Sequence, residues 1–372
     1  MTYIHQLPDW PRFQWSAERL AGPLAAVRNA QGRHLGKMET LGFSLQEEAC
    51  LEVLTSDVVQ SWAIEGERLD AREVRSSIAS QLGLDVGGLP AAGREVEGIV
   101  EMMLDATQNH ALPVTAERMH GWHAALFPTG RSGLGGIIAG AWRTAEAGPM
   151  QVVSGSLGHE SVHFEAPHAD LLEGEMRTFT EWLEQPHSRD PVLQAGIAHL
   201  WFLTLHPFED GNGRIARALA DLHLARADGT KSRFYSLSTR IERERKDYYR
   251  ELEAAQRGGL DITTWLLWFI ACLGRSIAGA EQTLSRVLHK AQLWQRLNLR
   301  AVNDRQRKVM HRLLDDFEGH LTSSKYAKLA KCSPDSALRD VRDLLERGVL
   351  VQNPGGGRST SYRLASAAEL AD

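Results

Sequence analysis

The chain has 372 residues, a net charge of −5, 43% hydrophobic and 24% charged residues, which is typical of a globular protein with room for two or three domains. This charge argues against a general affinity for nucleic acid or anionic membranes. Its three cysteines, Cys50, Cys272 and Cys332, are far apart, which indicates buried thiols in a reducing compartment. The first residues lack the features of a signal peptide, and no stretch approaches the ~20 apolar residues of a membrane span. We therefore expect a cytoplasmic protein.

Helical periodicity is common along the chain and strand signals are scarce, so we predict a mainly α fold. The N-terminal region, residues 1–90, begins with an irregular arm rich in Trp and Pro. A helix over about 44–66 should open at Ser44, because Ser44 and Glu47 have capping-box spacing, and Gly66 is suited to end it. Further helices are predicted from about residue 70, over 93–110 and over 115–126.

The second region, residues 91–280, contains the clearest strand pattern. Residues 133–167 are rich in glycine, include Met150-Gln-Val-Val and end at a proline, which indicates a β-hairpin or flap among helices. A linking helix over 281–303 is expected to follow this region. Helices after the flap are predicted over 168–184, 190–205, 215–226, 241–256 and 261–300.

Residues 206–217 form the most informative motif, His-Pro-Phe-Glu-Asp-Gly-Asn-Gly-Arg-Ile-Ala-Arg. The motif joins two predicted helices. Gly211, Asn212 and Gly213 therefore supply backbone N–H groups at the start of the second helix. Such a helix start binds anions through its unpaired N–H groups and the positive end of its dipole.

Four side chains of this motif bring complementary chemistry. Arg214 and Arg217 carry planar guanidinium groups suited to phosphate or carboxylate oxygens. Asp210 is an oxygen ligand of the kind that Mg²⁺ prefers when it also holds substrate phosphates. His206 has an ordinary pKa near neutrality and can take a proton from a hydroxyl. A base, a metal ligand and an anion cradle together indicate attack on a nucleotide phosphate.

The pattern His-x-Phe-x-Asp-Gly-Asn-Gly-Arg-x-x-Arg resembles the complete signature of the Fic domain family. The alternative is a plain loop between helices, with His206 in the core and the arginines in solvent, but so many specified positions in order favour the family. The resemblance implies a Fic-type helical core that uses ATP and Mg²⁺ to transfer AMP to a Ser, Thr or Tyr hydroxyl of a target protein. CMP, UMP and phosphocholine donors stay open.

The end of the predicted 44–66 helix, Ser61-Trp-Ala-Ile-Glu65-Gly66, resembles the inhibitory motif of the same family. Ser61 and Glu65 are four residues apart and share one helix face. In the family, this glutamate pairs with the second arginine of the motif, here Arg217, and obstructs the γ-phosphate of ATP. The alternative is a solvated glutamate at a helix end, where the dipole disfavours an acid.

A hairpin in this family holds the target segment by main-chain hydrogen bonds, a binding mode that needs little side-chain sequence. The matching positions here are a run of five residues in the predicted flap. They are Gln151, Val152, Val153, Ser154 and Gly155.

Tyr248 and Gln256 resemble the family segment that lines the adenosine pocket. A tyrosine ring can stack on a purine, although two adjacent tyrosines on a helix are as often core packing.

His159-Glu-Ser-Val-His163 has the spacing of a zinc protease motif, which works only on a helix. The glycines before it and Pro167 after it leave no room for a useful helix. We therefore interpret it as the outer limb of the flap. The spacing His120-x-x-His123 is interpreted as packing.

Residues 304–372 are predicted to form a winged helix. Residues 305–364 contain 12 Lys and Arg against 7 Asp and Glu, and the pattern gives helices over 305–317, 323–331 and about 334–347, followed by strand, turn and strand. The third helix would carry Arg339 and Arg342, and the wing Arg358, toward DNA. The alternative is a protein-docking module, because Asp335, Asp340 and Asp343 weaken the basic face.

The sequence thus predicts an AMP transferase inhibited by its own Glu65. One alternative keeps the site but reverses the reaction, with Glu65 aligning a water that removes AMP from a modified protein. Another is a DNA-binding regulator whose core only senses nucleotide. The expected partners are ATP, Mg²⁺ and an unknown target protein, for which the chain itself is one candidate. A second copy of the chain, as a homodimer, and DNA, through the winged helix, are further candidate partners. No membrane partner is expected.

Overall fold

The structure is a computed structural model that describes residues 2–84, 88–133, 135–154, 161–185, 189–315, 317, 319–354 and 360–371. The chain forms two compact units, residues 1–281 and 282–372, and the division falls within the longest helix. Gly155 and Arg358, both proposed above as binding residues, lie outside the described residues.

The first unit is mainly helical, as predicted. Its helices are α1 (Ala17–Glu39), α2 (Phe43–Ile64), α3 (Ala71–Gln81), α4 (Arg94–Gln108), α5 (Ala116–Leu126), α6 (Leu172–Glu184), α7 (Pro191–Leu205), α8 (Asn212–Asp228), α9 (Leu237–Arg243), α10 (Arg245–Gln256) and α11 (Thr263–Asn298), which continues into the second unit. The predicted helix over 241–256 is wrong in its start, because Glu244 separates α9 from α10.

Helix α1 has no counterpart among the sequence predictions. Its interior contains Pro23 and three glycines, which individually disfavour a helix. Its buried residues include Gln31 and His34, so the apolar periodicity is interrupted by polar groups. These groups reach distant partners that no local pattern reveals: Gln31 donates to Asp228 and His34 Nε2 contacts the Phe234 carbonyl.

Helix α2 begins at Phe43 with Gly42 as its N-cap and no side-chain cap, so the predicted capping box at Ser44 is wrong. Gly66 follows the end of the helix with a φ of +89°, as predicted for a terminating glycine. Most residues from Ala49 to Ile64 are buried, because α2 packs on α3, α8 and α9.

Helices α7 and α8 form the centre of the unit. From Val192 to Leu205, α7 is buried at all but one residue, as expected for a helix that is apolar on every side. Helix α8 is buried from Arg214 to Ala225. The 206–211 loop joins these two helices, so the motif is held by the best-packed part of the molecule.

Two small antiparallel strand pairs flank this helical core, β1 (Arg131–Ser132) with β2 (Gly135–Gly136), and β3 (Gln151–Ser154) with β4 (Ser161–Glu165). The second pair is the predicted flap. Its inner face carries Phe164, which packs against Tyr3 of the N-terminal arm with ring centroids 5.0 Å apart. The arm thereby supports the hairpin.

The second unit contains α12 (Asp304–Asp315), α13 (Ser323–Ala330), α14 (Pro334–Glu346), β5 (Leu350–Gln352), β6 (Tyr362–Leu364) and α15 (Ala367–Ala371). Strands β5 and β6 are antiparallel, and Leu321 bridges to Tyr362 of β6. Helix α14 starts at Pro334 with Ser333 as N-cap, as the sequence predicts. The buried core of this unit includes Val309, Tyr326, Val341 and Leu350.

Among the described helices, only α11 is long and apolar enough to cross a membrane by length and composition. Its apolar residues Trp265, Leu266 and Phe269 are at most 2% exposed and belong to the core of the first unit. This burial is that of a core helix.

Candidate functional site

The 206–211 loop is closed by its own residues. His206 ends α7 in the left-handed region with a φ of +47°, and Gly211 begins α8 with a φ of +79°. The Asn212 side chain spans the loop: its Oδ1 accepts from the Phe208 N–H at 3.0 Å and its Nδ2 donates to the Phe208 carbonyl at 2.8 Å. This pair of bonds fixes the turn that presents His206 and the helix start together.

The backbone around His206 is supported by Arg143, which sequence reasoning did not single out as functional. Arg143 is 3% exposed; its Nε donates to the His206 carbonyl at 2.9 Å and its Nη2 to the Pro167 carbonyl at 2.5 Å. Its backbone N–H donates to the Pro207 carbonyl at 2.8 Å. A buried cation bound to backbone carbonyls has no local sequence signal.

The His206 ring is half-buried and poised as a neutral base. Its Nδ1 lies 3.4 Å from the Leu203 carbonyl. A carbonyl only accepts, so we assign the ring proton to Nδ1 and the lone pair to Nε2. Burial, with a smaller contribution from the nearby Arg143 cation, lowers the pKa of His206 to about 4. The imidazole is therefore uncharged at neutral pH, the state in which it can accept a proton.

Asp210 is held at the same turn. Its carboxylate accepts hydrogen bonds from the Ser132 hydroxyl, from the Gly211 N–H at 2.5 Å and from Arg214 Nη2 at 3.2 Å. Burial alone would raise the pKa of Asp210, but the Ser132 hydrogen bond and the Arg214 charge together hold that pKa below its ordinary value. The group is therefore an anion at neutral pH.

His123 also reaches this loop, although the sequence indicated only packing. Its ring stacks on Phe208 with centroids 4.0 Å apart. The Gly140 N–H donates to His123 Nδ1 at 2.9 Å, so Nε2 carries the proton and donates to the Asp210 carbonyl at 3.2 Å. Burial lowers the pKa of His123 to about 4, which keeps this ring neutral. His123 thus positions the Asp210 backbone.

Arg217 lies fully buried on α8 and binds the end of α2. It donates from Nε to Ser61 Oγ at 2.8 Å, and from Nη2 to the Ser61 carbonyl at 2.8 Å and to Glu65 Oε1 at 2.7 Å. Burial opposes the positive charge, but the Glu65 carboxylate compensates and the pKa of Arg217 is raised. The structure therefore brings together the two segments that the sequence pairs by resemblance.

The Glu65 carboxylate lies directly against the start of α8. A Cβ atom at Gly213 would overlap with Glu65 Oε1, so only glycine admits the carboxylate at this position. An anion thus occupies the place where unpaired N–H groups and the helix dipole favour negative charge.

Arg214, the first arginine of the motif, has different surroundings from Arg217. Arg214 is 3% exposed and its guanidinium lies between two rings, 4.6 Å from the Trp62 centroid and 5.0 Å from that of Phe127. It reaches Asp210 at 3.2 Å and Glu67 at 3.9 Å. The rings orient the cation toward the loop.

Tyr248 and Gln256 lie beside this site but mostly in the core. The Tyr248 ring is 2% exposed and its hydroxyl donates to His199 Nε2 at 2.9 Å. Gln256 is buried and donates to the Leu203 carbonyl at 3.3 Å. Tyr249, which is 37% exposed, approaches the Ile64 carbonyl at the end of α2. Of the two adjacent tyrosines, Tyr249 is therefore the one with an exposed ring.

The hairpin has one covered edge and one open edge. Arg257, the residue that follows α10, donates to the backbone carbonyls of His163 and Val162, both at 2.9 Å, and so covers the edge of β4. In the part of the chain that the structure describes, the backbone of β3 hydrogen-bonds only to β4. Val153 and Val162 form an exposed apolar pair between the strands.

His163 contacts Glu253 at 3.0 Å and lies on β4, not on a helix. No cluster of three metal-ligating side chains occurs among the described residues. His159 and Glu160 of the zinc-like pattern are outside them.

A buried charge network joins α2 to α8 one turn away from the Ser61–Arg217 contact. Arg233 donates to Asp221 at 2.8 Å and to Asp228 at 3.0 Å. Asp57 of α2 accepts from Ser236 and faces Asp221. Three buried carboxylates surround one guanidinium, and both burial and the nearby Asp57 raise the pKa of Asp221. Asp221 therefore retains a proton above the ordinary carboxyl range.

Asp221→Asn should flatten the loss of thermal stability as the pH rises. A raised folded-state pKa means that the stabilisation is complete at low pH and is lost as the pH climbs through that pKa. The asparagine amide oxygen would keep the hydrogen bond from Arg233, and the uncharged amide would face Asp57 without needing a proton. In the wild type, each pH unit in this range lowers the free energy of unfolding by at most about 1.4 kcal/mol. This corresponds to a fall of about 2–4 °C in the unfolding midpoint. If the thermal unfolding midpoints of the two proteins change in parallel from pH 5 to 9, the raised pKa of Asp221 is contradicted.

The fold and the site define a mainly helical protein built on a helix–loop–helix that carries a neutral base, a carboxylate and an anion cradle. Residues 113–224 match the Fic/DOC family model, and residues 3–84 match a model described as "Domain of unknown function (DUF4172)". The chain therefore contains a Fic/DOC family domain over residues 113–224.

Curated relatives carry the name protein adenylyltransferase Fic. The one from Nematostella vectensis is 34% identical over 113 residues, 30% of this chain and 25% of that protein. The one from Drosophila virilis is 28% identical over 162 residues, 43% of this chain and 28% of that protein. The matched region is thus roughly a quarter of the length of these relatives.

Two crystal structures share the fold. A Fic family protein from Desulfovibrio desulfuricans G20 has a TM-score of 0.54 at 21% identity, covering 95% of this chain and 98% of that one. A Fic domain containing signaling protein from Bacteroides thetaiotaomicron VPI-5482 has a TM-score of 0.51 at 16% identity, covering 69% of this chain and 97% of that one.

Proposed function

We propose that this protein is an adenylyltransferase that moves AMP from ATP to a Ser, Thr or Tyr hydroxyl of a target protein and is inhibited by its own Glu65. The observation that carries the proposal is the position of the Glu65 carboxylate. It lies against Gly213 and pairs with Arg217 at 2.7 Å, so a side chain already occupies an anion site at the start of α8. The names of the curated relatives support the same activity.

The chemistry follows from the relative positions of His206 and the helix start. Nε2 of His206 takes the proton of the target hydroxyl, whose oxygen forms a bond to the α-phosphorus of ATP. The bond from that phosphorus to the β-phosphate oxygen breaks and pyrophosphate leaves. The N–H groups of Asn212 and Gly213 and the arginines stabilise the developing negative charge, so positioning and electrostatics supply most of the rate.

A magnesium ion fits the carboxylate at the turn. Asp210 is the motif carboxylate, held as an anion with its oxygens directed at Ser132, Gly211 and Arg214. A site with one carboxylate suits Mg²⁺, which is usually bound by one or two carboxylates together with substrate phosphates and waters. When bound, the ion would supply neutralisation of phosphate charge.

Asp210→Asn is expected to lower AMP transfer by at least ~100-fold, the loss typical of removing one preorganised electrostatic group. The remaining activity should no longer respond to added Mg²⁺. The neighbouring acid provides the control: Glu209 accepts from the Ile138 N–H, and Glu209→Gln should retain the Mg²⁺ response. Binding of Mn²⁺ together with ATP, followed by electron paramagnetic resonance, gives a readout independent of turnover. An unchanged Mg²⁺ dependence in Asp210→Asn would remove Asp210 from the metal site.

Inhibition by Glu65 has a direct physical basis. A carboxylate beside Gly213 occupies space that a phosphate needs at the helix start and withdraws Arg217 from that phosphate. Arg217 is 1% exposed and the Glu65 side chain is 30% exposed, so solvent screens the ion pair from the Glu65 side only. ATP can bind in a productive position only when this pair is broken or displaced.

The open edge of β3 is the proposed docking site for the target. Residues Gln151 to Ser154 offer backbone groups to an added strand, while Arg257 blocks the corresponding edge of β4. The exposed Val153–Val162 pair offers apolar contact to the side chains of the target.

Labelled ATP tests the reaction itself. Incubation of the protein with ATP labelled at the α-phosphate should leave label on protein, whereas ATP labelled at the γ-phosphate should leave none. Label transferred from the γ-position would indicate a kinase, and retention of neither label by any variant would leave a nucleotide sensor.

A hydrolase that removes AMP is the second candidate. Glu65 uses Oε1 for Arg217, and among the described residues no hydrogen bond reaches Oε2. That oxygen is available to align a water. Release of AMP from a pre-modified protein, absent in Glu65→Gly, would favour this direction.

A further inference from the structure

The two units of the chain carry opposite charge. Residues 282–372 contain 16 Lys and Arg against 10 Asp and Glu, whereas residues 1–281 contain 26 against 37. The net charge of −5 for the whole chain is therefore the sum of an acidic first unit and a basic second unit. The overall charge argues against an affinity for polyanions, but the charge of this module taken by itself favours one.

Helices α13 and α14 form a helix–turn–helix. Lys331, with a φ of +52°, ends α13, and Ser333 caps α14 by accepting from the Ser336 N–H. Three residues thus separate the helices. Strands β5 and β6 follow as an antiparallel ribbon, so the order of elements is that of a winged helix.

Two of the three acids that the sequence placed on α14 are paired with cations of the same unit. Asp340 is 5% exposed and binds Arg305 at 2.8 Å and Asn303 at 3.0 Å. Asp343 pairs with Arg347 at 2.7 Å. Both acids are used within the module, so the expectation that they weaken the basic face is wrong for these two. Of the three acids, Asp335 stays exposed in the first turn.

Five cations remain on the outside of the helix pair: Lys325, Lys328, Lys331, Arg339 and Arg342, here called the cationic face. In the part of the chain that the structure describes, none of the five has a carboxylate partner. Lys325 donates to the His320 carbonyl and Arg339 to Ser336 Oγ at 3.4 Å. Leu338 is exposed between the arginines and Asp335.

We propose that the cationic face binds double-stranded DNA, with α14 in the major groove. An α-helix fits that groove, whose base edges offer acceptors to arginine and thymine methyl groups to an apolar side chain such as Leu338. The lysines of α13 are then available to phosphates. This function is separate from AMP transfer and needs no nucleotide.

The composition of the face favours duplex DNA over the other macromolecules. Protein interfaces are depleted of lysine at their centre, whereas three of the five cations here are lysines. Single-stranded nucleic acids are bound by exposed aromatic rings, and the described part of this face exposes none: Tyr326, the aromatic residue of α13, is fully buried.

The test uses the full chain and a fluorescein-labelled duplex of about 30 base pairs and random sequence, with anisotropy measured from about 50 to 200 mM salt, the range over which phosphate contacts change affinity strongly. Binding to a duplex of random sequence is non-specific and depends on phosphate contacts, so Arg339→Ala with Arg342→Ala should weaken it at least ~10-fold and reduce the salt slope by about 2. The control, Arg33→Ala with Arg72→Ala, removes two exposed arginines of the first unit and should change neither. Circular dichroism melts verify that each variant is folded.

Three outcomes would overturn the proposal. They are failure of the wild type to bind the duplex at the lowest salt, an equal loss in both double variants, and tighter binding of a single strand of the same sequence. The first would leave the face as a protein-docking surface. AMP transfer is measured separately, so its failure cannot be mistaken for failure of DNA binding.

Discussion

Glu65→Gly should transfer AMP to itself at least ~10-fold faster than wild type, since each ~1.4 kcal/mol of competing interaction removed is a factor of ten. The substitution removes the carboxylate from Gly213 and frees Arg217 for phosphate. Gly66 already follows the end of α2, so the new glycine extends a helix terminus and leaves the helix body intact. The measurement is incorporation of α-labelled phosphate into the protein over time.

Comparison of Glu65→Gln with Glu65→Gly separates the effect of the charge at position 65 from that of side-chain size. Glu65→Gln keeps the size of the side chain but loses the ion pair, so its activity should lie between that of wild type and that of Glu65→Gly. Glu67, whose side chain is 56% exposed and 3.9 Å from Arg214, provides the matched control, and Glu67→Gly should stay at the wild-type rate. If Glu65→Gly is no faster than wild type, the Ser61–Gly66 segment is only a helix end.

Loss of His206 should abolish the faster AMP transfer expected of Glu65→Gly. In the Glu65→Gly background, His206→Ala should lower transfer by ~10²–10⁴-fold, the usual contribution of a general base. ATP binding should stay nearly unchanged, because the helix start and the arginines remain. Isothermal titration with ATP and Mg²⁺, together with the labelling rate, separates these two effects.

The backbone at position 206 requires a second variant. His206 has a φ of +47°, where alanine is strained but asparagine is tolerated. His206→Asn therefore removes the base with less disturbance of the turn. Transfer at near the parental rate by both variants would remove His206 from the mechanism, whereas loss in His206→Ala alone would show only a damaged loop.

The sequence predicted the motif well because its signals are local. A helix, a turn rich in glycine and a second helix follow from residues 190–226, and the roles of His206 and Asp210 follow from their chemistry. Those roles, and the docking role of the flap, stay predictions until they are measured.

What the sequence missed depends on distant contacts. Arg143 and Arg257 bind backbone carbonyls far along the chain, and nothing around them in sequence indicates those partners. Helix α1 is stabilised by tertiary contacts against the local preferences of Pro23 and its glycines. The burial of Tyr248 follows from its packing around His199 and Trp265, which lie on other helices.

Arg143 gives the hairpin and the 206–211 loop a common support, since one guanidinium holds both the Pro167 carbonyl, just after β4, and the His206 carbonyl. A segment that docks on β3 and shifts the hairpin would therefore alter the alignment of His206. By thermodynamic reciprocity, alignment of His206 would strengthen docking to the same extent. Docking of the target and alignment of His206 would then be coupled in one equilibrium. A protein that binds the hairpin without shifting it would act as an inhibitor and not as a substrate.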